Sequence, residues 1–236
     1  MYGSPRRREV FDQKIIMMKL LLEKKEALLL SVLLVVSFLV RFIGLGYSHF
    51  YGDETKTFYL DKTVPATEFF LNQRKGPLQF FVVWITEKIV GGYNELFTRV
   101  PFALAGFLGV VMFYLVVKKL FDYKVALVST LLFSFSGFNL AFSRTIQYQS
   151  FLVLFGLLAV YFIFMFTKLK KTKHLVLSSL FLAFAFYAHY DALLFLFPVF
   201  YLLVTTKKKK KLQVILSYFI LPLLLLVSIF YVPYVA

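Results

Sequence analysis

Apolar runs close to the thickness of a bilayer core recur along the chain, separated by short basic clusters. Seven of them predict spanning helices, over residues 27–45, 100–117, 125–142, 151–167, 175–188, 192–205 and 212–232. In lipid every backbone N–H and C=O must be paired internally, which leaves helices or a closed barrel. The runs exceed the roughly 9–11 residues of a barrel strand and lack strict alternation, so the pattern predicts an all-α polytopic chain. One stretch, 46–99, is polar enough to leave the membrane and predicts a long first external loop. Within it the segment 78–90 is apolar but short, and it carries Gln79, Glu87 and Lys88.

Lysine placement decides the topology. If 78–90 lies flat as an interfacial helix, then Lys118, Lys119, Lys124, Lys168, Lys170, Lys171, Lys173 and the run 207–211 all face the cytosol with the basic N-terminus. If it spans, all twelve of these lysines face outward. Cytoplasmic loops carry the excess of Lys and Arg, so the first arrangement is expected, with Trp84 suited to the headgroup level. The segments 175–188 and 192–205 then form a tight hairpin whose tip, His189-Tyr190-Asp191, stops within the outer leaflet. Such a helix of about 14 residues reaches only ~21 Å against a core of ~30 Å. Pro222 predicts a kink in the last run.

Composition agrees: the chain is 60% hydrophobic and 17% charged, outside the range of a soluble globular domain. Its formal charge of +15 would suit nucleic acid, but it is dispersed in loop clusters that suit anionic lipid, so a nucleic-acid partner is excluded. Cysteine is absent, which removes disulfides and thiolate metal sites. The run 27–45 is long for a signal h-region and lacks a small-residue cleavage pattern, so it reads as an uncleaved anchor. The organisation expected is a cytosolic segment, 1–26, followed by one transmembrane module, 27–236. The apolar end, Val232 to Ala236, predicts truncation before further helices.

Candidate chemistry gathers on the outer face. Asp53 and Glu54 follow the first helix and can cap the next one or act as a general base; no His/Asp cluster supports a metal ligand role. Arg74, Lys75 and Arg144 fall outside against the charge bias; they can snorkel to lipid phosphates or hold a phosphate leaving group. Arg41, near the outer end of the first helix, is expected to pair with Asp53 or Glu54. His189 and Asp191 form either a satisfied intramembrane pair or part of an acceptor pocket.

In their order, Tyr51-Gly52-Asp53-Glu54-Thr55, Arg74-Lys75-Gly76-Pro77-Leu78, Thr98-Arg99-Val100-Pro101 and Ser143-Arg144 with Tyr148 resemble the GT-C superfamily of membrane glycosyltransferases. The similarity is to the protein O-mannosyltransferases and the lipid A aminoarabinose transferases, and it runs from Arg41 to Pro233. It implies transfer of one sugar from a polyprenyl-phosphate carrier to an acceptor hydroxyl on a protein or glycolipid, at the external face of a plasma membrane. It implies Asp53 as base or key carboxylate, with Glu54 beside it, and Lys75 on the donor phosphate with Arg74 and Arg144 near. Tyr148 joins Arg41, His189 and Asp191 as possible pocket residues, and no cofactor is implied. The chain departs from many members at Gln147-Tyr148-Gln149, where they carry a second acid.

Two other readings compete with an enzyme: a flippase for a lipid-linked sugar, and a non-catalytic fragment of the same fold. Transporters place ionisable groups and broken helices near the midplane, whereas here the charges gather outside, which favours the enzyme.

Overall fold

The structure is a computed structural model that describes residues 5–73, 76–205 and 212–235, with side chains from Lys24 onward. All regular elements among the described residues are helical. The first, α1 (Pro5–Phe42), ends at a turn that feeds a segment holding α2 (Gly52–Thr55), α3 (Ala66–Leu71) and α4 (Leu78–Val90). Then follow α5 (Glu95–Leu120), α6 (Tyr123–Phe135), α7 (Gly137–Ser143), α8 (Gln149–Leu169), α9 (Lys173–Ala188) and α10 (Leu193–Val204). A 3-10 turn, Tyr190–Ala192, joins α9 to α10, and α11 (Leu212–Val235) closes the described chain.

Among the described residues, three helices are long and apolar enough to cross a membrane: Glu95–Leu120, Gln149–Leu169 and Leu212–Val235. A fourth crossing is available if α6 and α7 count as one broken span. The apolar helices Lys173–Ala188 and Tyr190–Val204 are shorter. The seven predicted runs thus all appear as helix, but among the described residues four at most are long and apolar enough to span.

The predicted run 125–142 is not one straight helix. It bends by 59° at Ser136, whose backbone is extended and whose Oγ caps α7 by accepting from Asn139 N at 3.3 Å. A broken helix releases carbonyls that lipid cannot satisfy. Here Ser136 Oγ and Asn139 Nδ2 both donate to Phe133 O at 3.1 Å. Arg41 satisfies one more: its Nη2 donates to Ser134 O at 3.0 Å, and its Nη1 donates to Ser37 O and Ser37 Oγ at 2.9 and 2.8 Å. Arg41 is therefore fully buried against the helix break. The predicted pairing of Arg41 with Asp53 or Glu54 does not occur, because Ser37 of α1 and Ser134 O of α6 take the guanidinium.

The core is built around α8, which packs on α5, α9 and α10. Val160, Ile163 and Phe166 of α8 bury against Leu175, Leu182 and Ala185 of α9, and Ser178 Oγ donates across the contact to Ala159 O at 2.9 Å. The predicted hairpin is looser than expected, since α10 leans on α8 rather than lying along α9. Phe195 of α10 reaches Gly156 of α8, where an added Cβ would come within 2.4 Å of the ring. On the far side α11 rests on α9, with Tyr231 Oη donating to Phe186 O at 2.8 Å.

Arg41→Leu should lower stability by about 1.5–3 kcal/mol, the worth of a charge-assisted hydrogen bond, and leave Ser134 O unpaired. Thermal unfolding of the purified chain in nanodiscs measures this, and Arg41→Lys should recover part of the loss through its single ammonium.

Candidate active site

The site begins at one end of α5. Asn94 caps this helix, its Oδ1 accepting from Leu96 N and Phe97 N at 3.0 and 3.2 Å. The cap starts α5 five residues before the predicted run, so Arg99 sits one turn inside the helix. From there its five N–H donors all find acceptors. Nε and Nη2 form a two-pronged pair with Glu54 at 2.9 and 2.7 Å, and Nη2 also reaches His49 O at 3.1 Å. Nη1 donates to Leu45 O and Ser48 O at 3.0 and 2.9 Å. One side chain thus draws the whole 45–54 segment onto the start of α5.

Glu54 is equally saturated. Besides Arg99, its Oε2 accepts from Tyr51 N at 3.2 Å, which steadies the first turn of α2. Its Oε1 accepts from Ile146 N at 3.0 Å, which ties down the 144–148 loop between α7 and α8. A carboxylate offers about four lone-pair positions, and all four are engaged. Glu54 and Arg99 are 0% and 2% exposed, so this pair lies in low dielectric, where geometry this complete is needed to repay desolvation. The side chain of Ile146 is also fully buried, among Val83, Phe102 and the aromatic rings of Phe50, Phe58 and Tyr93. The geometry gives Glu54 the task of positioning neighbouring groups.

Asp53 stands next to Glu54 on the other side of the short helix. Its carboxylate is half-exposed and meets Lys56 Nζ at 2.6 Å. It therefore keeps contact with solvent while its backbone is fixed by the buried pair. Beside it, Tyr51 Oη accepts from Gln147 Nε2 at 3.2 Å, so the segment before α2 and the loop between α7 and α8 touch again. Arg144 is half-buried and donates through Nη1 to Val40 O, capping the end of α1.

The second half of the site is the α9–α10 tip. His189 is buried, its ring stacked on Tyr148 at 4.0 Å between centroids and 8° between planes. Its Nδ1 accepts from Asp191 N at 3.1 Å and lies 3.0 Å from Asp191 Oδ2, which holds the tip together. Burial, and after it the neighbouring Asp191 and Tyr190, push the Tyr148 phenol up, so it remains a protonated donor at neutral pH. Gly76 locks against the same tip. Its φ of +138° is a conformation that L side chains rarely adopt, and an added Cβ would come within 2.3 Å of Tyr187 O. Arg74 and Lys75, which precede Gly76, lie outside the described residues.

The nominated segments are therefore one constellation. Residues 51–54 bond to 146–147, Tyr148 stacks on the tip, and Gly76 presses on the residues that lead into it. Sequence reasoning missed Arg99 as the organiser; the Asn94-Glu95 cap signal was the clue to where it sits. No cluster of His, Asp and Glu suited to a metal ion occurs among the described residues. Next to Gly76, an apolar groove of about 520 Å³ runs between α3, α4, α9 and α11, lined by Phe70, Leu78, Phe81, Phe184 and Phe230.

The family model described as Dolichyl-phosphate-mannose-protein mannosyltransferase matches residues 74–234, more than half of the chain. No curated protein and no solved structure matches.

Breaking the buried pair from one side should be severe. Glu54→Gln or Arg99→Met should each cost about 3–5 kcal/mol, because either leaves a buried charge without its partner. The double variant should cost clearly less than the sum, which a double-mutant cycle of unfolding free energies measures.

Proposed function

The chain belongs to the dolichyl-phosphate-mannose-protein mannosyltransferase family, and from that premise we propose that it moves one sugar from a polyprenyl-phosphate carrier to an acceptor hydroxyl outside the membrane. Family membership makes it a glycosyltransferase of the GT-C kind and a membrane protein; the donor, the acceptor and the side of the membrane are the proposal. The single observation that carries it is the division of labour between two adjacent carboxylates. Glu54 is saturated and buried, while Asp53, fixed by it, stays half-exposed at the meeting of two external loops.

In this reading the acceptor oxygen attacks the anomeric carbon while the bond from that carbon to the carrier phosphate oxygen breaks. The phosphate leaves with the electron pair, and the acceptor proton passes to Asp53 and then to water. Catalysis rests on holding the two reactants in line and on stabilising the departing phosphate charge. Lys75 is assigned to that phosphate because it precedes Gly76, whose conformation and contact with Tyr187 O fix the turn. Arg74 and Arg144 are second cations for it. The apolar groove beside Gly76 suits the first isoprene units of the carrier, since its walls offer almost no polar surface. A transporter would need ionisable groups along a path through the midplane; instead they meet around α2 and the 189–191 tip.

The same reading proposes seven crossings with a cytoplasmic N-terminus, α4 flat on the outer face, and a plasma-membrane location. Support comes from α4 itself: Val83 and Thr86 are buried, whereas Phe81, Ile85 and Ile89 are exposed along one stripe.

With a polyprenyl-phosphate sugar donor, Asp53→Asn should lower the transfer rate by ~10²–10⁴, the usual effect of removing a general base. Lys75→Ala should weaken donor use in the same assay; activity close to the unaltered protein in both variants would reject the assignment. Topology is tested separately, since the chain has no cysteine of its own. Single cysteines at Lys119 and Lys171 should resist impermeant thiol reagents added outside, while one at His49 should react.

A further inference from the structure

Helices α1 and α6 lie side by side, in the same direction and in constant register. Tyr123 Oη donates to Glu26 O at 3.4 Å near one end, and Ser134 Oγ donates to Ser37 Oγ at 2.8 Å near the other, each pair 97 positions apart in sequence. Between these two contacts runs an apolar groove of about 330 Å³. Leu29, Val32 and Val36 of α1 and Val128, Leu131 and Phe135 of α6 line it, and all six are exposed.

The two ends of the groove differ. One is shut by the bond between Ser37 and Ser134, with Arg41 buried beside it. The other is open and basic. The stripe 29, 32, 36 of α1 continues one turn earlier to Lys25, and the stripe 128, 131, 135 of α6 continues one turn earlier to Lys124. Helical Cα–Cβ bonds tilt toward the N-terminus, so both long side chains reach past the open end, stems on the groove and ammoniums beyond it. Lys24, Lys118 and Lys119 add to the charge there, against Glu26 and Asp122 among the described residues. The Asp122 carboxylate is already engaged as the cap of α6, accepting from Val125 N at 2.9 Å. The end of the groove is thus cationic and calls for an anion. Length agrees: from Lys25 to Val36 the helix rises ~16 Å, about half of a ~30 Å hydrocarbon core. One acyl chain of a single leaflet fills that length with its headgroup at the lysines.

We propose that the α1–α6 groove is a binding site for one anionic phospholipid, its phosphate held by Lys25 and Lys124 and one acyl chain seated between the helices as far as Phe135. The α6 helix stops at the break at Ser136, so it is short for a span, and the lipid covers the face that the protein leaves open. The site is independent of the proposed transfer reaction and needs only that this face meet lipid.

The probe is phosphatidylglycerol with a diazirine near the end of one acyl chain, present as a trace in phosphatidylcholine nanodiscs that hold the full chain, photolysed and mapped by mass spectrometry. Adducts are expected on Val36, Leu131 and Phe135, and a phosphatidylcholine with the same diazirine should label them far less. Lys25→Gln combined with Lys124→Gln should cut the phosphatidylglycerol labelling by about fivefold per lysine. Lys171→Gln, in the turn between α8 and α9, should leave it unchanged. Leu131→Trp, which fills the groove from an exposed position, should remove the adducts on Val36 while size-exclusion behaviour stays unaltered. Equal labelling by the two lipids would show ordinary boundary lipid and overturn the proposal. An equal loss in Lys171→Gln would overturn it too, since the attraction would then belong to the whole charged face. Disulfide-linked dimers of a Val32→Cys chain would place a second copy in the groove and exclude the lipid.

Discussion

The arrangement depends on one buried ion pair. Arg99, one turn inside α5, and Glu54, in the first turn of α2, use every donor and every lone pair on each other and on the backbone around them. Such a pair is weak evidence for stability, because desolvation offsets much of its Coulomb attraction. Its effect is on specificity of arrangement. Three separate pieces of chain, 45–51, α2 and the 144–148 loop, have one position in which all of these bonds close together. The surrounding apolar contacts of Ile146, Val83 and Phe102 hold water away and contribute the stabilisation that the pair itself lacks.

That constraint explains how adjacent carboxylates acquire opposite properties. Helical geometry turns neighbouring residues about 100° apart, so locking Glu54 inward turns Asp53 toward the surface. The same logic governs the tip, where stacking on Tyr148 buries His189 and leaves Asp191 facing a cavity. Two apolar hollows flank the tip, one lined by Tyr187 beside Gly76 and one lined by Tyr148 and Asp191.

Much of this was legible in the sequence, and the failures have physical causes. The apolar runs located the helices, and 78–90 proved to be α4 with the predicted bounds. The acidic pair, the Gly-Pro turn, the second loop and the tip were all nominated, and they meet. Partner choice was not legible. Arg41 was assigned to the acids because it is near them in sequence, but the break at Ser136, invisible to hydropathy, offered it unpaired carbonyls. Arg99 was read only as the start of a span, because its five acceptors come from residues 45–54, which are brought to it by folding. The looseness of the α9–α10 pair follows from Phe195 and Gly156, a contact between runs whose apolar pattern carries no pairing information.

The central claim is that the segment between α1 and α5 and the loop between α7 and α8 form one site because Glu54 and Arg99 hold them together. Its most direct test is a pair of cysteines at Tyr51 and Gln147, whose native side chains bond at 3.2 Å, joined by a short bis-methanethiosulfonate cross-linker in the chain reconstituted in nanodiscs. The account predicts rapid cross-linking when Arg99 is present and slow cross-linking in the Arg99→Met background. Failure to cross-link in the presence of Arg99, or cross-linking at the same rate without it, would contradict the account.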